Sequence, residues 1–314
     1  MSPDTTAIDP AASAVIARNL TLTGKRGYVF GPLDLDIAPG TLTVLQGPQG
    51  SGRTALLLTL AGRMKPDRAT EDLWVLGHAL PDERTKVQHL AAIAGFDGID
   101  QLDGSVTVGD VLHERIGLLT PWYKRQPKLT PRRYAQLAAP VFGGRPLPAL
   151  GTIVWDLDEV DALLLRITIA LLQRPRLLVV DDLDQVHDAA GRAFVWQRLE
   201  ALARSSEAAP AENSSENPEP TPAGENGASD GPPPAGEQSQ AGEHEPAGEQ
   251  HRAVDDHASG LGLATGSLAV IAAVASATEP ATIAWANGAP AVVAIERSAS
   301  YAERIKPNSP SEGN

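Results

Sequence analysis

The spacing of hydrophobic and polar positions changes several times along the chain. Short apolar runs at 14–20, 33–37, 42–46, 73–76 and 90–96 have strand length and strand composition. A further run at 176–180 is apolar without alternation, as a strand buried on both faces must be. Between them lie stretches of helical spacing. Residues 53–63 predict an apolar helix, and 107–118 an amphipathic one with Thr107 as its N-cap. Residues 132–139 predict a short helix with Pro131 in its first turn, and 158–173 and 188–204 two longer ones. Strands that alternate with helices predict an α/β fold with a mainly parallel sheet.

The pattern stops at residues 205–258. This stretch is Ala, Gly, Glu, Pro, Ser and Asn, with Pro232-Pro233-Pro234 near its centre and the triplet Ala-Gly-Glu starting at Ala223, Ala235, Ala241 and Ala247. Such a composition cannot bury enough apolar surface to offset the entropy of ordering it. It reads as a disordered acidic insert, because globular pattern resumes beyond it. Residues 268–275 read as a strand, followed by strands at 282–286 and 291–296, with Asn287-Gly288 as a hairpin turn between the last two. These strands are too few to stand alone and complete a sheet begun upstream. The expected organisation is one domain in two parts, 1–204 and 259–298, with a polar tail at 299–314. Residues 259–278 carry no charge and are long enough to span a bilayer, but their glycines and alanines favour a buried strand.

Composition narrows the chemistry. The chain has no Cys, which excludes a disulfide scaffold, a thiolate metal site and a cysteine nucleophile. Its net charge is −13, but residues 205–258 carry twelve Asp/Glu against one Arg and so contribute −11. The remaining −2 leaves the folded part nearly neutral, which argues against a nucleic-acid footprint. Residues 1–13 show no signal peptide, in keeping with a cytoplasmic protein.

The sharpest local signal is Gly47-Pro48-Gln49-Gly50-Ser51-Gly52-Arg53-Thr54. It follows the strand 42–46 and opens the helix 53–63, the context that a phosphate-binding loop requires. Glycines let backbone N–H groups converge on an anion, and the helix N-terminus adds its dipole. Thr54 is the candidate ligand of a Mg²⁺ ion bridging the terminal phosphates of ATP. Arg53 stands where such loops carry Lys; it keeps the charge but aims a larger planar fork. The second element is Leu177-Leu178-Val179-Val180-Asp181-Asp182. A buried strand would deliver Asp181 to the same Mg²⁺ ion, and Asp182 to the position of a general base for an attacking water.

With these two elements the chain resembles the ATP-binding cassette subunits of ABC transporters, over roughly 14–204 and 262–296. Tyr28 and Phe30, ahead of the loop, are available to stack on adenine. Val106-Thr107-Val108-Gly109-Asp110-Val111-Leu112 resembles the start of the family's helical subdomain, which would occupy about 97–175. Arg174-Pro175-Arg176-Leu177-Leu178 resembles the family's lead-in to its acidic strand, and Asp188 its D-loop Asp. The resemblance implies a P-loop NTPase cassette fold with antiparallel N-terminal strands. It also implies ATP and Mg²⁺ as cofactors, a separate membrane permease as partner, and a homodimer or a heterodimer with another cassette at the membrane's inner face.

The departures from the family gather at the chemistry. Leu157-Asp158-Glu159-Val160-Asp161 stands in place of the signature Leu-Ser-Gly-Gly-Gln, and its carboxylates are expected to repel a γ-phosphate. Asp182 stands for the catalytic Glu, and Ser276-Ala277-Thr278 for the switch His. The Q-loop Gln has no clear counterpart; Asp97 and Gly98 fall nearest, with Gln101 offset. Together they imply a degenerate cassette that binds nucleotide and hydrolyses it weakly. Two alternatives stay open: a non-hydrolysing regulatory or assembly module of the same fold, and a P-loop phosphotransferase. The latter would need an Arg-rich lid, and only Arg132 and Arg133 are adjacent.

Three further features carry less. Trp122-Tyr123-Lys124-Arg125, with Lys128, Arg132, Arg133 and Tyr134, is basic and aromatic without an acid. It fits contact with a permease loop, anionic headgroups, or plain solvent. Trp74, Trp155 and Trp196 read as core anchors. The seven His residues show no metal-ligand spacing.

Overall fold

The computed structural model describes residues 13–25, 27–68, 70–205, 267–278, 280–286 and 288–296. The acidic stretch, apart from its first residue, and the tail beyond residue 298 lie outside the described residues. The chain opens with β1 (Val15–Gly24), β2 (Gly27–Ile37) and β3 (Leu42–Gln46), then α1 (Arg53–Leu60). Next come β4 (Asp72–Val75), β5 (His78–Ala79), α2 (Arg84–Leu90) and β6 (Ala91–Ala94). Three helices follow, α3 (Val108–Leu119), α4 (Pro131–Phe142) and α5 (Glu159–Leu171). The chain then runs through β7 (Leu177–Val180), α6 (Ala189–Ser205), β8 (Ala269–Val274) and β9 (Ala291–Ala294).

Two sheets result. β2-β1-β4-β5 is antiparallel; β6-β7-β8-β3-β9 is parallel throughout. The parallel strands show why their sequences lack alternation. In β7, Leu178 and Val180 pack into one hydrophobic cluster while Leu177 and Val179 pack into the other. In β8, Val270, Ala272 and Val274 face the first, and Ala269, Ile271 and Ala273 the second. A strand with a core on each face must be apolar at every position. The first cluster joins the sheet to α3, α4, α5 and α6; the second joins it to α1 and the antiparallel strands. The result is an α/β arrangement of a parallel sheet, antiparallel N-terminal strands and a helical part, as the sequence reading expects.

Three helix starts, those of α3, α4 and α5, are set by side-chain caps. Thr107 and Asp110 form a reciprocal capping box on α3, and Thr130 caps α4 ahead of Pro131. Asp158 caps α5 by accepting from the Asp161 N–H at 2.7 Å.

Several sequence expectations are corrected. Residues 282–286 form no strand; Asn287 of the expected turn lies outside the described residues, and β9 pairs parallel with β3, Thr43 opposite Ala291. Edge pairing with an existing strand supplies a full ladder that a short isolated hairpin cannot. The helix α2 went unread because only Val87 of its seven residues is buried. Trp196 is a core residue, but Trp74 is half-buried and Trp155 is 83% exposed.

Candidate functional site

The phosphate loop leaves the carboxyl end of β3 and turns into α1. Gly47 admits no side chain, since a Cβ there would lie 2.5 Å from Ser51 Oγ and 2.7 Å from the Ile295 carbonyl oxygen. Gly52, the N-cap of α1, has φ +91°, and its Cβ would meet the Val29 carbonyl oxygen at 2.3 Å. The glycines thus let the loop press against β2 and Ile295, the residue after β9, while adopting a left-handed turn. The Ser51 hydroxyl is buried and has no hydrogen-bond partner among the described residues.

The acidic strand end meets this loop. Thr54 Oγ1 donates to Asp181 Oδ2 at 2.5 Å, joining the two segments. Asp181 also accepts the Asp182 N–H at 3.0 Å. Burial pushes the Asp181 carboxyl above the usual carboxylate range, against the pull of the Thr54 hydrogen bond. Burial does the same to Asp182, aided by the neighbouring Asp184 carboxylate. Asp182 also holds a left-handed backbone, φ 50°, uncommon for a non-glycine residue and a form of strain found at functional sites. Gln185 secures that turn, its N–H and its side-chain amide both donating to the Asp182 carbonyl oxygen.

These groups line a cleft of about 1540 Å³ at the carboxyl ends of the parallel strands, where open α/β sheets place their ligands. Tyr28, Gln49, Gly50, Gly52, Arg53, Thr54, Asp181 and Asp182 line it. Gly47, Pro48 and Ser51 are not among its lining residues. Phe30 is not available for stacking: it is 1% exposed and packs in the core, whereas Tyr28 is 48% exposed. Arg53 turns to Asp184, Nη1 to Oδ2 at 3.5 Å, and that carboxylate also accepts the Ala275 N–H at 2.7 Å. Asp97 lines the cleft and Gln101 does not. Ala277 packs against the hydrophobic cluster, so the residue after β8 that faces the cleft is Ala275.

The segment Leu157–Asp161 lies apart, at the N-terminus of α5, beside a second cleft that Asp188 also lines. Its carboxylates are less repulsive than their sequence implies. Arg145 bonds both Asp158 and Asp161 at 2.5 Å, and His187 lies 2.7 Å from Glu159. Asp188 accepts the Gly191 N–H at 2.6 Å at the start of α6. Sequence reasoning also missed Arg166, which pairs with Asp100 and donates to the Phe96 carbonyl and the Gln185 side chain. It ties the loop after β6 to the turn that carries Asp182. Its only signal was a lone cation inside the apolar helix α5.

No protein-family profile matches the chain. Among curated proteins it is 32% identical over 101 residues to the cytochrome c biogenesis ATP-binding export protein CcmA of Xylella fastidiosa, covering 32% of this chain and 44% of that one. It is 27% identical over 176 residues to the Nod factor export ATP-binding protein I of Cupriavidus metallidurans, covering 55% and 54%. The chain thus spans about half the length of these relatives. A chain of a metal-chelate type ABC transporter in an inward-facing conformation superposes with a TM-score of 0.54 at 13% identity, covering 91% of this chain and 80% of that one. Its fold is that of an ATP-binding cassette, and its sequence is similar to ATP-binding subunits of ABC transporters.

Proposed function

We propose that the chain is the ATP-binding subunit of an ABC transporter, that it holds Mg-ATP in the cleft between the phosphate loop and Asp181, and that it hydrolyses ATP weakly on its own. The observation that carries this reading is the meeting of Thr54 and Asp181 at 2.5 Å, at the end of a glycine loop that opens a helix. The residues fit the ligand. Ser51 keeps a buried hydroxyl with no partner among the described residues, and the space beside Gly50 is open. Thr54 and Asp181 would hold Mg²⁺, Arg53 and the loop N–H groups the phosphates, and Tyr28 the base. When bound, the ion neutralises charge across the terminal phosphates.

Weak turnover follows from what the chain's residues do. Arg53 is engaged by Asp184, so its charge is shared with a carboxylate instead of being directed at phosphate alone. Asp182 is one methylene short for reaching a water, and Ala275 offers no side chain to orient one. The N-terminus of α5 is filled by its own carboxylates and Arg145. This last feature also favours a second reading, a cassette that binds nucleotide without turnover and serves regulation or assembly. In either reading the partner is a separate membrane permease at the inner face of the membrane, with a second cassette, alike or different, completing a pair. Among the described residues no helix is long and apolar enough to cross a membrane.

Titration of the purified chain with a fluorescent ATP analogue, with and without Mg²⁺, tests the site. Binding that Mg²⁺ strengthens, and that Thr54→Ala weakens only in its Mg²⁺-dependent part, is expected. No binding at millimolar nucleotide would overturn the proposal.

A further inference from the structure

The loop between α3 and α4 has a composition and an exposure that nucleotide binding does not use. Trp122 is 96% exposed, Tyr123 is 59% exposed, and Leu118, one turn back on α3, is 72% exposed. Large apolar side chains this open to water, side by side, are the kind of surface that marks an interaction site. The two rings stand edge to face with centroids 5.9 Å apart, and Lys124 Nζ lies 5.8 Å from the centre of the Tyr123 ring. The loop is held in place. Gln126 Nε2 donates to the His113 carbonyl oxygen at 2.5 Å, and the Gln126 side chain packs against Gly117, where a Cβ would meet it at 3.1 Å. The Lys124 N–H closes a turn on the Pro121 carbonyl at 2.9 Å.

Charge selects the partner. No Asp or Glu occurs between Glu114 and Asp156, and that interval carries seven Lys and Arg. Arg115 bonds Gln173, and Arg145 is paired with Asp158 and Asp161. The other five, Lys124, Arg125, Lys128, Arg132 and Arg133, form no ion pair among the described residues. The chain as a whole carries −13, so attraction to an anionic surface needs a local basic patch such as this one. Trp and Tyr suit the headgroup region of a bilayer, and clustered Lys and Arg suit its anionic lipids. A protein interface would deplete Lys at its centre.

We infer that the α3–α4 loop docks directly on the headgroups of an anionic lipid bilayer, with Trp122, Tyr123 and Leu118 entering the interface and Lys124, Arg125 and Lys128 meeting lipid phosphates and carboxylates. This contact is independent of the nucleotide site, which shares none of these residues.

Co-sedimentation of the full chain with protein-free vesicles tests it. Phosphatidylcholine vesicles are compared with vesicles that also contain phosphatidylserine, at low and at high salt. Binding to the anionic vesicles, weakened by salt and absent from the neutral ones, is expected. Each basic residue near an anionic surface contributes about fivefold in affinity, so Lys124→Ser with Arg125→Ser should weaken binding about 30-fold. Trp122→Ala with Tyr123→Ala should weaken it as well, while both variants bind nucleotide as the parent does. Equal binding to both vesicle types, or anionic binding unchanged in both variants, would overturn the inference. Binding to native membranes but not to protein-free vesicles would also overturn it, and would assign the loop to a membrane protein.

Discussion

Tyr134 shows how one buried atom sets a pH response. Its side chain is 4% exposed in the helical part of the core, and its hydroxyl has no hydrogen-bond partner among the described residues. Burial, with the Asp161 charge beside it, pushes its pKa from 10.0 up to about 12. The folded chain therefore keeps this proton at a pH where the unfolded chain has lost it. Stability from this group is fully present below pH 10 and is lost as pH rises through about 12. Tyr134→Phe should leave the melting temperature at neutral pH unchanged or slightly raised, since it removes an unbonded buried hydroxyl. It should also shrink the fall in melting temperature between pH 10 and 12. A drop of many degrees at neutral pH would show that the hydroxyl is bonded. At the nucleotide cleft, position 277 gives a second lesson. A histidine at Ala277 would enter the hydrophobic cluster, so any attempt to restore a cleft histidine belongs at Ala275.

Among the elements, α6 and β8 hold the two halves of the sequence together. Trp196 of α6 is fully buried and packs edge to face on Trp285, with ring centroids 6.4 Å apart. Trp285 in turn donates to the Pro280 carbonyl at 2.8 Å, and Glu200 of α6 accepts the Ala286 N–H at 3.0 Å. Trp196→Ala should cost about 3–5 kcal/mol, as removal of a large buried ring does. Urea unfolding followed by far-UV circular dichroism measures it, and a cost below about 1 kcal/mol would contradict this packing. The elements that were legible in the sequence are those whose signals are local. β3, the phosphate loop and α1 follow one another within twenty residues, and β7 announces itself by four consecutive apolar positions. What was not legible depends on distant partners. Arg145 pairs with both Asp158 and Asp161 from another segment, and Arg166 reaches Asp100 across 66 residues. The pairing of β9 with β3 likewise joins distant segments.

At the scale of the whole molecule, the strand order decides what can be removed. β8 lies between β7 and β3 and is buried at all six positions, so the sheet has a gap without it. A chain truncated after Ser205 should fail to fold cooperatively. Residues 205–258 are a different matter, because their composition supports no core. We propose that they are an insert within the domain. Deleting 207–256 and joining the ends with a short Gly/Ser linker should leave the melting temperature within a few degrees. A collapse in solubility would show that the segment packs.

The same scale frames the central claim, a cassette that holds Mg-ATP but lacks the means to use it alone. Phosphoryl transfer rests on positioning and charge stabilisation, and losing one such group costs about 10²-fold or more. Here Arg53 is held by Asp184, Asp182 is short, and Ala275 faces the cleft without a functional group. Phosphate release by the purified full chain at saturating Mg-ATP is the most direct measurement. Release barely above the rate without protein is expected, in a sample that still binds the nucleotide. Turnover on the order of one per second, at the low end of ordinary enzymes, would contradict the account and return this chain to the working ATPases.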